Sequence, residues 1–216
     1  MSLQRFLVLL LLCISNNAFA LNAPKLAEAS NSLFGYRETI KTNMSLFPQW
    51  LSVLERHIHE MTPEGQCDAK VFNRCHMREW LTFLESIQHL NEEQQIIKVN
   101  RYANEKEYVL DIENYGIEDY WATPKGFLQN NGDCEDYAII KMLSLKLLGF
   151  NVETMRIVVV QDTNQRIAHA VMSLARRNDI LILDNQIEEI ISHRDIYHYV
   201  PVYSVNERNW WMHLPK

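Results

Sequence analysis

The stretch Asn131-Gly132-Asp133-Cys134-Glu135-Asp136-Tyr137 sets a thiol among three carboxylates, directly ahead of the apolar run AIIKMLSLKLLGF. Two opposed effects act on that sulfur. Negative neighbours favour the protonated thiol. A place in the first turn of a helix favours the thiolate, through unpaired N–H groups and the helix dipole. A thiolate nucleophile also needs a base, and the base an orienting group. His169, in IAHAVMSLA, and Asp184, at the end of DILILD, offer both, with ARRND between them as a hairpin turn. A two-residue turn at Arg176-Arg177 would set His169 opposite Asp184. At Arg177-Asn178 it would leave them diagonal on one face, whereas a three-residue loop would part them onto opposite faces. Asp133, Glu135 and Asp136 have two readings: a set of hard-oxygen metal ligands, or acids that favour a helix N-terminus. The other histidines (His57, His59, His193, His198 and His213) show no comparable spacing and read as surface or packing residues.

The elements that must position these groups follow from periodicity. Apolar residues at helical spacing predict helices from about Phe47 to His59 and from about Ala69 to Leu90. A third is opened by Asn91 as N-cap and runs through Tyr102. Thr123-Pro124 predicts a short helix with a capping threonine and proline at its first position, ended by Asn130-Asn131-Gly132. The central helix is expected to begin at about Asp133, with Cys134 in its first turn, to bury Ala138, Met142, Leu145 and Leu148, and to stop at Gly149. MRIVVVQD, IAHAVMSLA and DILILDN then read as antiparallel strands. Helices followed by strands give an α+β arrangement. Trp121 reads as a packing residue beneath the active-site loop.

Composition narrows the partners. The chain has 216 residues and a formal net charge of −6, without a Lys/Arg cluster of the kind nucleic acid requires. Residues 1–20 read as a secretory signal peptide: a basic start, a short apolar core and Ala18-Phe19-Ala20 at the cut. That predicts a soluble, exported protein, with no membrane insertion of the mature chain. Residues 21–45 read as a loosely ordered segment, and 46–216 as one domain, helical over about 46–106 with a catalytic core over about 107–206. Cys67 and Cys75 could close a disulfide loop in an oxidising compartment. Zinc is the alternative, with His76 the only adjacent classical ligand.

DYWATPKGFLQNNGDCEDYAIIKMLSLKLLG, with the later AHAVM, LILDNQ and PVYSVN, resembles the bacterial transglutaminase-like cysteine peptidases, and among them the LapG-type periplasmic proteases. The likeness spans roughly residues 95–206. It implies a papain/transglutaminase-like fold in which the cysteine heads a helix packed on an antiparallel sheet. Carried over, Cys134 is the nucleophile, His169 the general base and acid, and Asp184 the residue orienting the imidazole. The resemblance also implies Ca²⁺ bound through Asp133, Glu135 and Asp136. It further implies a large surface adhesin as substrate, cut in its N-terminal retention region so that biofilm disperses. The regulator it implies is an inner-membrane cyclic-di-GMP receptor of the LapD type. The same triad could instead pass the acyl group to an amine, as a transglutaminase or amidase does, or persist in a binding module without turnover.

Overall fold

The computed structural model describes residues 32–61 and 74–216. The expected signal peptide lies outside them. So does Cys67, and with it the disulfide expected to Cys75. Six helices are described: α1 (Pro48–Glu60), α2 (Arg74–Ile87), α3 (Glu92–Asn104), α4 (Asp111–Asn114), α5 (Pro124–Asn130) and α6 (Cys134–Leu147). Seven strands form one sheet: β1 (Arg37–Lys41), β2 (Met155–Asp162), β3 (Ile167–Arg176), β4 (Asp179–Leu183), β5 (Ile191–Ser192), β6 (Tyr199–Val205) and β7 (Trp210–Leu214). Their order is β1-β7-β6-β2-β3-β4-β5, and each described pairing is antiparallel. This is the α+β arrangement expected from the order of the periodic segments.

Local chemistry sets the helix starts. Asn91 Oδ1 accepts from Gln94 N at 2.9 Å and Thr123 Oγ1 from Gly126 N at 3.2 Å, so both capping residues act as their types predict. α6 differs from expectation in one respect: it buries every residue from Glu135 to Leu145, not one stripe. The reason is its place, between β2 and β3 on one side and α3 and α5 on the other. A helix covered all round needs apolar residues all round. Ile139, Met142 and Leu145 are sealed in a core shared with Trp50, Trp80, Phe127 and the inner face of the sheet. Trp121 is buried in this core with its ring centroid 6.3 Å from that of Trp50, a packing role as expected.

The sheet extends beyond the expected catalytic core at both ends of the chain. Arg37–Lys41, inside the segment read as loosely ordered, pairs with β7 as an edge strand. Its sequence RETIK is almost wholly exposed and carries no two-residue alternation, so nothing in it announces a strand.

Candidate active site

α6 begins at Cys134, and its N-cap, Asp133, makes no side-chain capping bond. The thiol is part-exposed, and its Sγ donates to Glu135 Oε2 at 3.3 Å. The β3–β4 pairing stops at Met172–Leu183. Beyond that last pair the backbone N–H of Ala170 turns to the sulfur, which sets Cys134 beside the residue following His169. His169 Nε2 and Asp184 Oδ1 lie 2.9 Å apart, and both side chains are buried. With Nε2 engaged, Nδ1 is the ring nitrogen left to exchange a proton.

The turn joining β3 and β4 is Arg177-Asn178, since Arg176 pairs with Asp179. It is the second even turn considered from sequence, and it leaves His169 and Asp184 diagonal on one face. Asp184 is held from several sides. Its Oδ1 also accepts from Gln186 N at 2.9 Å, its Oδ2 from Tyr199 OH at 2.6 Å, and its main-chain carbonyl from Asn104 Nδ2 at 2.9 Å. Burial would raise this carboxyl, but the bonds from His169, Gln186 and Tyr199 outweigh it and hold the group below its ordinary value.

Beside the thiol lies a second cluster, larger than the sequence suggested. Carboxylate oxygens of Asp111, Asp133 and Asp136 lie within 4.8 Å of one another, and so do those of Asp111, Asp119 and Glu135. Asp111 Oδ2 accepts from Tyr120 N, and Asp136 Oδ1 accepts from Ala122 N at 2.7 Å. Asp111 Oδ1, Asp133 Oδ1 and Asp136 Oδ2 are buried with no protein partner. Gly132 is required here, because a Cβ at this position would stand 2.2 Å from Asp136 Oδ2. Burial raises all four buried carboxyls. Asp111 is pushed up to about 6 against the pull of the Tyr120 amide, and Glu135 to about 10, with Asp133 adding to its shift. Asp133 and Asp136 shift in the same direction. Burial, together with Glu135 and Asp133, also drives the Cys134 thiol well above its ordinary range, more than the Ala170 amide can offset. With protein groups alone, burial and the acids together silence the sulfur. Buried acceptor oxygens without donors are costly, and several converging carboxylates are the donor set of a hard divalent cation. The residues fit such an ion.

Residues 66–216 match the family of bacterial transglutaminase-like cysteine proteinases. The chain belongs to this family. It is a cysteine peptidase, and the likeness read from its sequence is correct. Three solved structures of Legionella pneumophila LapG are similar to it. The one described as calcium-bound is 27% identical, with a TM-score of 0.60 over 75% of this chain and 86% of the other. A second LapG structure is 28% identical, with a TM-score of 0.59 over 74% and 87%. The EGTA-treated form gives 28% and 0.59 over 74% and 84%. None of the curated proteins compared with the chain matches it.

The peptidase thus brings all six site residues expected from sequence into one region. Asp133, Glu135 and Asp136 flank Cys134 at the start of α6, and His169 and Asp184 come from the hairpin. Sequence reasoning missed Asp111, Asp119, Tyr199 and Lys141. Asp119 stands inside the DYW stretch that carries the resemblance, but nothing in its spacing marks it as a ligand. Asp111 opens a four-residue helix with no apolar period. His193 and His213 are structural: Nδ1 of the first accepts from Phe34 N at 3.0 Å, and Nε2 of the second lies 3.0 Å from Ser204 Oγ.

Proposed function

We propose that the protein is a calcium-dependent cysteine endopeptidase acting in the periplasm, with Cys134 as nucleophile, His169 as base and acid, and Asp184 as the orienting carboxylate. The observation that carries this reading is the placement of one thiol, at a helix start against β3, between a buried His–Asp pair and a buried carboxylate cluster. His169 Nδ1 takes the thiol proton, and the sulfur attacks the peptide carbonyl carbon. The C–N bond breaks as the same imidazolium gives its proton to the departing amine. Water, deprotonated by His169, then releases the acid product from the thioester and restores the thiol. The N–H of Cys134, at the first position of α6, is suited to the oxyanion because helix starts leave such groups unpaired. Asp184 keeps the imidazole in the tautomer with Nε2 protonated.

Asp111, Asp133, Glu135 and Asp136 would hold calcium, with Asp119 at the exposed edge. When bound, its charge offsets the carboxylates that oppose ionisation of Cys134. The calcium-bound state of the similar LapG structure supports this ion. By the same kinship the substrate is the N-terminal retention region of a large surface adhesin, whose cleavage frees cells from a biofilm. An inner-membrane cyclic-di-GMP receptor of the LapD type is the regulator. The basic, apolar, small-residue pattern of residues 1–20 supports export. No described helix is long and apolar enough to cross a membrane.

The test is cleavage of the N-terminal fragment of the same organism's large adhesin. Wild type in calcium should cut it, while Cys134→Ala in calcium and wild type in EGTA should not. Activity restored by calcium after EGTA supports the metal assignment. Full cleavage by Cys134→Ala would refute the nucleophile, and cleavage indifferent to EGTA would refute the ion.

A further inference from the structure

Tyr199 lies outside the expected triad, yet its hydroxyl donates to Asp184 Oδ2 at 2.6 Å, and both residues are 2% exposed. Asp184 Oδ1 is already committed to His169 and Gln186, so Tyr199 is the partner that satisfies the second oxygen. The phenol ring is fixed on three sides: His198 at 4.5 Å, His169 at 5.7 Å and Phe34 at 5.8 Å between centroids. Tyr199 starts β6 opposite Asp162 of β2, so the sheet fixes its backbone as well. A hydroxyl on so confined a ring has one direction to point, and a buried carboxylate oxygen lies there.

We propose that Tyr199 is a positioning residue of the peptidase, its hydroxyl acting through Asp184 to set both the plane of the carboxylate and its strength as the acceptor for His169. This rests on the triad assigned above. A carboxylate with its second oxygen satisfied shares its charge between two bonds and pulls less on the imidazole. Stripped of that donor, the buried anion favours a proton close by, and the imidazolium persists to higher pH. The groups facing this pair are few. Cys134 and the buried Lys141 approach from α6, Asp162 faces Tyr199 from β2, and the His198 ring flanks it. Burial and Asp184 keep the phenol protonated far above its ordinary range, so it remains a donor throughout the working pH.

The test needs no substrate. Histidine-labelled full chain, with the His169 resonance assigned through His169→Gln, is titrated by NMR in calcium. Tyr199→Phe should move the His169 midpoint upward by about one pH unit, the size of one hydrogen bond to a charged group. Fluorotyrosine at 199, a stronger donor of the same shape, should move it downward, and it keeps the test open if Tyr199→Phe does not fold. In an Asp184→Asn background, Tyr199→Phe should leave the midpoint where Asp184→Asn alone puts it. An unmoved His169 with both substitutions, or an equal displacement in the Asp184→Asn background, would overturn the proposal. Failure of adhesin cleavage would leave these readings intact, so the two hypotheses fail separately.

Discussion

Lys141 lies fully inside the molecule, and its Nζ has no hydrogen-bond partner. Burial lowers it to about 7, with Asp184 pulling the other way. The unfolded chain keeps that proton to about 10.5. Between the two values the unfolded state binds more protons, so the contribution of this lysine to stability rises with pH across the window. Lys141→Met should abolish that rise and stabilise the fold at pH 7 by about 1–4 kcal/mol, as removal of a buried charge often does. Urea titrations at pH 7 and pH 9.5 check both statements. A second prediction concerns Gly132. With a methyl group there, Asp136 must move, so Gly132→Ala should remove most of the calcium-induced rise in melting temperature while leaving the metal-free protein folded. Differential scanning fluorimetry with and without calcium reads this. The residues that were legible in sequence share one property: they stand inside regular elements whose period fixes their direction. His169 and Asp184 could be paired because side chains in a hairpin alternate, and Cys134 could be placed because a helix start has recognisable caps. Lys141 escaped notice because a lysine in an apolar run reads as the solvated side of a helix, and only its complete burial in the fold shows otherwise.

At the scale of elements, the loop between α4 and α5 is stapled to its neighbours by acids. Asp136 holds the Ala122 amide, Asp111 holds the Tyr120 amide, and Asp119 accepts from Trp121 Nε1 and from Gln49 of α1. Val109 N donates to Gly132 O, joining the segment ahead of α4 to the nucleophile turn. These bonds share carboxylates with the cation site, so bound calcium should rigidify the loop. Amide exchange at Tyr120 and Ala122 should slow by about tenfold or more in calcium, while exchange in the β2–β3 ladder changes little. Equal protection with EGTA and calcium would show that the loop does not sense the ion. α1 to α3 and α6 were readable because each carries long stretches of one period. β5 and β1 were not, since two residues carry no period and an exposed edge carries no alternation. The central helix was found, yet its burial on all sides was misjudged, because a helix's second cover belongs to tertiary structure.

For the whole molecule, the acid cluster sets the response to pH. Free carboxylates ionise near 4, whereas native Asp111 keeps its proton to about 6 and Glu135 to about 10. The metal-free native state therefore binds more protons than the unfolded chain, and its stability falls as pH rises from about 4 through this range. Asp184 acts oppositely: held below its ordinary value, it contributes stability that is lost only in stronger acid. The melting temperature in EGTA should decline from pH 5 to pH 8, and millimolar calcium should flatten or reverse that decline. Parallel slopes in both conditions would separate the cluster from the ion.

The five acids share a further property. They come from one uninterrupted stretch, residues 111–136, whereas the His–Asp pair lies farther along the chain. A denatured chain therefore still carries all five within a short tether, and it can bind calcium weakly before any sheet exists. Calcium would then stabilise the folded protein by less than its native affinity implies, because part of that affinity is already available to the unfolded ensemble. The same local binding would gather the turn around Cys134 early in refolding, ahead of the histidine that is to use it.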